Sequence, residues 1–575
     1  MLARPRLRTV RVAYDSLKAM DSLQAMNTLQ SMDRGGNRTA SAAALAEVRA
    51  LLGEDEIRRD LLIEYLHRIQ DAHGQISAAH ILALAQEMRL APVEVHEVAS
   101  FYQHFDLVRE GDDGPPRYTV RICQSLPCAM AGAKELHKAL AAREGIRVIA
   151  APCVGRCAQA PVAVFGQQPI AQATPARVGA AIAGGEQAAP LAEHIAYPAY
   201  REAGGYRRVS ELLQDLSSAE AILSTLETSG LRGLGGAGFP VARKWRAVAA
   251  GAGPRLLVVN IDEGEPGTFK DRHYLERDPH RAIEGMLIAA ATVGVAEIYI
   301  YLRDEYAACR SLLQRELQRL IADPPCPLPP IHLRRGAGAY ICGEESALIE
   351  SLEGKRGLAR LRPPYVAVRG LFGRPTLVHN LETLYWLREI LERGGLWWAS
   401  QGVNGQQGLR SYSVSGRVQR PGLYLAPAGI SVKELIDNYC GGMAAGHQLY
   451  AYLPGGASGG ILPASLAELP LAAEALAAHG AQLGSAAIIV LSQADRARDA
   501  CANLLHFFAE ESCGQCTPCR VGTAKAARLV LAPHWDQGLL EDLSGVMADA
   551  SICGLGQAAP MPIRSVMRHF RHEIE

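Results

Sequence analysis

The sequence predicts a multidomain α/β protein in which helical and β-rich modules flank a central parallel sheet. Three observations lead there. At 575 residues the chain is longer than one hydrophobic core ordinarily serves, so it divides into several domains. Its middle third, roughly 216–400, alternates apolar runs at 256–261 and 298–302 with helical stretches, as strands buried on both faces of a parallel sheet do. Two groups of cysteines also sit in different settings, one in a small α/β unit and one in a helical C-terminal region.

Taken in order, residues 1–40 hold an imperfect six-residue repeat: Asp15-Ser-Leu-Lys-Ala-Met20, Asp21-Ser-Leu-Gln-Ala-Met26 and Asn27-Thr-Leu-Gln-Ser-Met32. A six-residue step turns a helix by about 600°, so these leucines share no face and a disordered extension is expected, with a short docking helix as the alternative. From 41 to 110 the pattern is helical, with Leu61, Leu62, Tyr65, Leu66 and Ile69, then Ile81, Leu82 and Leu84, at helical spacing. Residues 117–183 read as strand 118–123, helix 131–143 and strands 148–151 and 162–165, completing a first domain over 41–183. A linker rich in Ala, Gly and Pro is expected over 184–206. The central α/β domain spans 207–405, and 406–490, with its turn Pro454-Gly-Gly-Ala-Ser-Gly-Gly460, reads as a small β-rich module. Residues 491–575 are helical.

Composition narrows the function classes. The chain is 49% hydrophobic and 21% charged, ordinary for a soluble globular protein. Its 59 basic and 59 acidic side chains cancel, so no basic field exists to draw in nucleic acid. No uncharged apolar run of about 18 residues is present, and no membrane span is expected. Arg4, Arg6, Arg8 and Arg11 have no apolar stretch behind them, which argues against a secretory signal and for a cytoplasmic protein. In a reducing compartment, 13 cysteines are metal ligands where they cluster, rather than disulfides.

The cysteine spacing is the sharpest signal. Cys513-x-x-Cys516-x-x-Cys519 with a distant Cys553 wraps three thiolates round one compact object and closes the cage with a fourth. That arrangement suits a [4Fe–4S] cluster; a Cys₄ zinc site is the alternative, although those usually come as two separated pairs. Cys123-x₄-Cys128 and Cys153-x₃-Cys157 each follow a strand. Two pairs suit a [2Fe–2S] rhomb, one pair per iron, with zinc again the alternative. Cys309, Cys326, Cys342, Cys440 and Cys501 form no spaced group and read as small buried hydrophobes.

Gly233-Leu-Gly235-Gly-Ala-Gly238 matches G-x-G-x-x-G. It follows a helical stretch at 219–228 rather than a strand, which speaks against a standard dinucleotide fold but leaves a phosphate-cradling loop. Lys244, just downstream, is placed to pair with a phosphate. Two acidic turns close apolar strands: Asn260-Ile-Asp262-Glu263-Gly264-Glu265, and Gly336 to Glu345. Acceptors at the carboxyl ends of parallel strands are where α/β proteins place ligands.

These stretches carry a family resemblance. Residues 41–183, with Phe101-Tyr-Gln-His-Phe105 ahead of four cysteines, resemble the thioredoxin-like [2Fe–2S] subunit of respiratory complex I. Residues 206–575 resemble its flavin subunit, through GLRGLGGAGFP (230–240), DEGEPGTFKDR (262–272), GAGAYICGEESALIESLEGKRG (336–357), ESCGQCTPCR (511–520) and ICGLG (552–556). The fusion is similar to the β (diaphorase) subunit of two-subunit, metal-dependent, NAD-linked formate dehydrogenase, particularly at 59–77, 452–465 and 549–560. The diaphorase subunit of NAD-reducing nickel–iron hydrogenase has a similar layout.

The resemblance implies a thioredoxin-like [2Fe–2S] domain, a Rossmann-like FMN/NAD domain, a ubiquitin-like (SLBB-type) domain and a helical [4Fe–4S] domain. It implies FMN, NAD(H), one [4Fe–4S] cluster held by Cys513, Cys516, Cys519 and Cys553, and one [2Fe–2S] cluster held by Cys123, Cys128, Cys153 and Cys157. Gly233, Lys244, Asn260, Asp262, Glu344 and Asn380 would contact FMN, with Gly235, Gly343 and Thr383 nearby. Phe239 would stack on the adenine, and Glu265 and Glu345 would position the nicotinamide; no protein nucleophile or acid is implied. Four positions depart from the family pattern: Ala247 stands where a second stacking aromatic is common, Tyr365 where Phe is usual, Arg362 for a Lys, and His379 for the first Asn of a pair. The implied partner is a large catalytic subunit with a molybdenum or tungsten pterin cofactor and further iron–sulfur clusters, with no nucleic acid and no membrane.

Overall fold

The computed structural model describes residues 39–575 apart from 55, 110, 113, 117, 186, 187, 216 and 217. The repeat at 15–32, and all of the expected extension except Thr39 and Ala40, lie outside the described residues. The chain forms two compact units. One holds the described residues up to Arg58, with Tyr65–Ser100 and Phe105–Gly114; the other holds Arg59–Glu64, Phe101–His104 and Pro115–Glu575.

The first unit is helical, as the spacing predicts. Helix α1 (Ala42–Leu52) starts at Ser41, whose hydroxyl accepts the Ala44 N–H. Helix α2 (Leu62–His73) contributes its later turns, where Tyr65, Leu66 and Ile69 are buried at spacings of three and four. Ser77 caps helix α3 (Ala78–Met88), and α4 (Pro92–Phe101) follows. Short strands β1 (Ile76–Ser77) and β2 (Leu107–Val108) pair in parallel.

The second unit begins with strand β3 (Tyr118–Cys123), short helix α5 (Leu126–Met130), helix α6 (Ala133–Ala141), and strands β4 (Ile146–Ala151), β5 (Ala163–Phe165) and β6 (Gln168–Ile170). The sheet order is β4-β3-β5-β6, with β3 and β4 parallel and the other pairs antiparallel. Val120, Ile122, Leu136, Leu140 and Phe165 fill its core. Cys123 ends β3, Cys128 sits on α5, and Cys153 and Cys157 follow β4, so the β3–α5 and β4–β5 connections carry the four cysteines.

Helices α7 (Tyr197–Glu202), α8 (Arg207–Gln214), α9 (Ala219–Ser229) and α10 (Val241–Ala249) lead into the central sheet. Its strands β7 (Arg255–Ile261), β8 (Val295–Leu302), β9 (Ile331–Arg335) and β10 (Thr376–Asn380) are all parallel, in the order β10-β7-β8-β9. Helices α11 (Lys270–Arg277), α12 (Pro279–Val293), α13 (Ala307–Ala322), α14 (Glu345–Leu352) and α15 (Leu381–Tyr385) belong to this layer. A Cβ on Gly285 of α12 would lie 2.0 Å from the Leu384 carbonyl, so these helices meet backbone to backbone. All four strands deliver their carboxyl ends to one edge, where Asn260, Arg303, Gly336 and Asn380 stand.

The expected linker at 184–206 is in part structural. It contains α7, and Tyr197, Tyr200 and Tyr206 enter the core of the central layer. Tyr206 donates to His280 Nδ1 at 2.7 Å, and His280 Nε2 bonds Glu316 at 3.0 Å. Glu316 also accepts from His194 at 3.2 Å and from the Tyr197 N–H at 3.1 Å. A reading of composition weighs the Ala, Gly and Pro of this stretch and misses three tyrosines whose apolar bodies are what fold it down.

The β-rich module consists of β11 (Leu409–Gly416), β12 (Gly422–Pro427), β13 (Leu449–Leu453), β14 (Leu462–Pro463) and β15 (Ala487–Ser492). Their order is β12-β11-β15-β13-β14; β11 and β15 are parallel and the remaining pairs antiparallel. The C-terminal region is helical: α16 (Ala497–Glu510), α17 (Thr517–Leu529), α18 (Gln537–Ala550), α19 (Gly554–Ala558) and α20 (Met561–His569). Among the described residues no helix is long and apolar enough to cross a membrane.

Burial alone would raise the Glu316 carboxyl, but the bonds from His280 and His194 outweigh it and hold the group down at about 2. A depressed carboxyl contributes stability that is present above its unfolded pKa of about 4.5 and lost as pH falls toward about 2. Glu316→Gln should therefore cost roughly 1–3 kcal/mol at neutral pH and flatten the loss of stability on acidification. Thermal melts of both proteins from neutral pH downward check this; parallel slopes would remove the carboxylate from the account.

Candidate cofactor site

A cavity of about 350 Å³ opens at the carboxyl edge of the central sheet, within the roughly 300–1,000 Å³ range of small-molecule sites. The loop between α9 and α10 forms one wall. Its backbone visits positive φ at Gly236 (124°) and Gly238 (63°), where side chains are strained. Gly235 lines the cavity, and a Cβ there would lie 2.9 Å from Asn380 Cβ. Gly233 closes the loop by donating its N–H to the Phe239 carbonyl at 2.9 Å. Buried Thr383 ties it down by accepting the Leu234 N–H at 2.9 Å. Thr383 is thus a support behind the wall.

Asn260, Asp262, Glu265, Gly343, Glu344 and Asn380 all line the cavity. Asn260 donates Nδ2 to the Gly343 carbonyl at 2.8 Å and joins the two acidic turns. Asp262 Oδ2 is buried with no partner among the described residues, and burial pushes this carboxyl well up; an unpartnered acceptor facing a cavity is a place for a ligand donor. Glu265 is also raised by burial, while it accepts from Ser458 N–H at 2.8 Å, Ser458 Oγ at 2.9 Å and the Tyr340 hydroxyl. Glu344 caps α14 by accepting the Ser346 and Ala347 N–H groups, both at 3.0 Å. Beside it Glu345 pairs with Lys244 at 3.2 Å.

The departures from the family pattern fall as follows. Arg362 pairs with Glu344 and, at 3.5 Å, with Glu345. His379 points away from Asn380 along β10 and accepts from Trp245 Nε1 at 2.7 Å; its burial holds it neutral. Ala247 is exposed on α10. Tyr365 is 58% exposed and stands outside the cavity lining. The Phe239 ring, at the end of the glycine loop, is 47% exposed.

Sequence reasoning passed over several lining residues. Lys270 is buried, and its ammonium meets Asp271 at 2.8 Å, Asn380 Oδ1 at 2.8 Å and Glu382 at 3.4 Å. Burial would lower it, but the carboxylates prevail and keep it charged. It falls within the DEGEPGTFKDR stretch, yet no spacing rule marks it. Tyr340, Ser458, Gln482, Ser485 and Leu555 also line the cavity. Ser458, Gln482 and Ser485 come from the β-rich module and Leu555 from the C-terminal helices, a junction no local pattern encodes.

The cysteines meet in two groups. Cys123, Cys128, Cys153 and Cys157 are all buried; Cys153 and Cys157 Sγ are 3.4 Å apart, and Cys123 reaches both Cys128 and Cys153. Cys519 is pushed up to about 12 and Cys553 to about 11, in both cases chiefly by burial. Backbone N–H groups nevertheless aim at these sulfurs: Gly267 at Cys157, Gln515 and Ala359 at Cys513, Leu555 and Gly556 at Cys553. Buried thiols that disfavour ionisation but face N–H donors fit cationic iron, which would hold them as thiolates.

Comparison with known proteins gives four family matches. Residues 48–185 match the thioredoxin-like [2Fe-2S] ferredoxin family, 226–389 the Nuo51 FMN-binding domain, 411–462 the SLBB domain, and 499–575 the NADH-ubiquinone oxidoreductase-F iron–sulfur binding region. An F-type NADH-quinone oxidoreductase chain of Rhizobium meliloti is 40% identical over 65% of this chain and 92% of its own length. The mitochondrial NADH-ubiquinone oxidoreductase 51 kDa chain of Neurospora crassa is 40% identical over 65% of this chain and 80% of its own. A solved NAD⁺-reducing [NiFe]-hydrogenase in the H₂-reduced state has a chain 32% identical, with TM-score 0.79, covering 90% of this chain and 94% of that one. This protein therefore belongs to the F-type (51 kDa) family of NADH-quinone oxidoreductase chains, as an NAD-linked flavoprotein of FMN, NAD(H), [4Fe–4S] and [2Fe–2S] with a thioredoxin-like domain fused to it.

Proposed function

We propose that the chain is the diaphorase subunit of an NAD-linked formate dehydrogenase. A large partner subunit with a molybdenum or tungsten pterin cofactor and further iron–sulfur clusters oxidises formate. Its electrons enter this chain at the Cys513, Cys516, Cys519 and Cys553 group and leave on NAD⁺; NADH drives CO₂ reduction in reverse. The reading calls for no membrane or nucleic-acid partner and places the complex in the cytoplasm.

The observation that carries the electron-transfer part is the double-sided turn at 262–271. Gly264, Glu265 and Thr268 face the cavity. The Gly267 N–H and the Phe269 ring meet Cys157 and Cys153 on the other side. Gly554 and Leu555, immediately after Cys553, form another part of the lining. One cavity is thus walled by a turn that packs against one cysteine group and by the chain that directly follows a cysteine of the other. FMN bound there supplies exchange of an electron pair with nicotinamide and of single electrons with iron–sulfur clusters.

In this reading the Gly233–Phe239 loop cradles phosphate with its backbone N–H groups. Asn260, Asp262, Glu344 and Asn380 hold the flavin, and Lys270 with Asp271 fixes the Asn380 amide. Glu265 and Glu345 position the nicotinamide, and Phe239 stacks on the adenine. Cys123, Cys128, Cys153 and Cys157 ligate the [2Fe–2S] cluster; Cys513, Cys516, Cys519 and Cys553 ligate the [4Fe–4S] cluster.

Support for formate is the resemblance at 59–77, 452–465 and 549–560. Two of those stretches supply cavity residues, Ser458 from one and Gly554, Leu555 and Ala558 from the other. The likeness to an NAD⁺-reducing [NiFe]-hydrogenase over 90% of the chain favours a second reading, a hydrogenase diaphorase subunit. Elemental analysis of the complex purified from its host separates them: molybdenum or tungsten beside iron is expected, and nickel without either would overturn the formate assignment.

Two substitutions test the site. Cys516→Ser should abolish the [4Fe–4S] electron paramagnetic resonance signal and partner-linked NAD⁺ reduction while NADH oxidation by ferricyanide survives; a full cluster signal would refute the ligand. Glu265→Gln should weaken NADH binding by roughly tenfold, the worth of a charge-assisted hydrogen bond, with FMN content unchanged. Loss of flavin instead would move Glu265 to the other ligand.

A further inference from the structure

Three cations stand close together on α10. Arg246 is paired with Glu220 at 2.7 Å and with Glu227 at 3.2 Å, and Lys244 with Glu345 at 3.2 Å. Arg243 has no carboxylate partner among the described residues. Its guanidinium carbon lies 5.4 Å from the centroid of the Phe239 ring instead, in cation–π range. Arg232, whose Nε donates to the Gly238 carbonyl at 2.6 Å, likewise has no carboxylate partner among the described residues. The end of the glycine loop therefore combines an aromatic ring 47% exposed with two guanidinium groups whose charge no described carboxylate neutralises. One helical turn beyond Arg243, on the same face, stands only the methyl group of Ala247.

An exposed ring braced by a cation on one side offers its other face to a flat ligand. Unneutralised guanidinium groups beside it offer donors to an anion. Both demands meet in the adenosine diphosphate half of a dinucleotide. We propose that Arg243 is a binding residue for that half: it holds the Phe239 ring in place for the adenine and donates N–H groups to the diphosphate. Lys244, by contrast, is already paired with Glu345. The inference rests on the reading that the cavity and its mouth take NAD(H).

The test is calorimetric titration of the FMN- and cluster-loaded protein with ADP-ribose, which has the adenosine diphosphate and no nicotinamide. Arg243→Leu should weaken ADP-ribose binding roughly twenty- to fiftyfold, about tenfold for one charge-assisted bond and about two- to fivefold for one cation–π contact. The loss should fall on the KM for NADH, the salt dependence of binding should decrease, and flavin and cluster absorbance should remain. Arg243→Lys, which keeps the charge without the plane, should bind between the two. ADP-ribose affinity within about twofold of wild type in Arg243→Leu overturns the proposal, as does an Arg243→Lys variant as tight as wild type. Phe239→Ala and Glu265→Gln distinguish the two levels. If Phe239→Ala weakens ADP-ribose and Arg243→Leu does not, only the role of Arg243 fails; if neither Phe239→Ala on ADP-ribose nor Glu265→Gln on NADH has an effect, the site reading itself fails.

Discussion

The buried carboxylate of Glu263 is the knot on which the rest depends. It accepts the N–H groups of Asp271 at 2.8 Å and Arg272 at 3.3 Å and the Tyr306 hydroxyl at 2.7 Å. Burial pushes it up to about 7, while Lys270 and these donors pull the other way. They also fold residues 262–271 into a turn with two useful sides. Tyr306 touches this carboxylate and stands against Gly155, where a Cβ would lie 2.2 Å from its hydroxyl. Arg303 donates to the carbonyls of both Glu263 and, at 2.6 Å, Cys153. One ion-and-hydrogen-bond network thereby fixes the wall of the cavity and the loop between Cys153 and Cys157.

The cavity floor follows the same economy of charge. Lys270 answers Asp271 and Glu382, and the pair of Lys270 and Asp271 orients Asn380, whose Oδ1 accepts from the ammonium while Nδ2 donates to Asp271. At the mouth, Lys244 and Arg362 neutralise Glu344 and Glu345. Among the described residues, Asp262 Oδ2 is the buried unpartnered acceptor in the cavity lining. A site so heavily pre-bonded holds its shape before any ligand arrives, and pre-organisation is where positioning of two flat rings gains most.

Much of this was legible locally. The apolar runs of β7 and β8 announce a parallel sheet because strands buried on both faces need no polar alternation. The two-residue gaps of Cys513, Cys516 and Cys519 announce a compact cluster because so short a spacing cannot reach round anything larger. Other features escaped for equally physical reasons. Tyr197, Tyr200 and Tyr206 bury their apolar bodies in the central core and bond polar groups 74 to 119 residues away in sequence. Lys270 reads as a surface lysine until its carboxylate partners are in place. Ser458 sits in a glycine-rich turn of another module, and tertiary packing alone brings it to the cavity and to Glu265.

By itself the sequence determined the class of each module, the cofactors and the family, because those depend on spacing within a few residues and on long unusual motifs. Tertiary structure alone decided that the central sheet, the β-rich module and the C-terminal helices share one cavity, and that both cysteine groups supply its neighbours. The reason is range: strand and cluster patterns are written in contacts of two to six residues, whereas Glu263, Arg303, Lys270 and Ser458 act through partners brought together only when separate cores are packed.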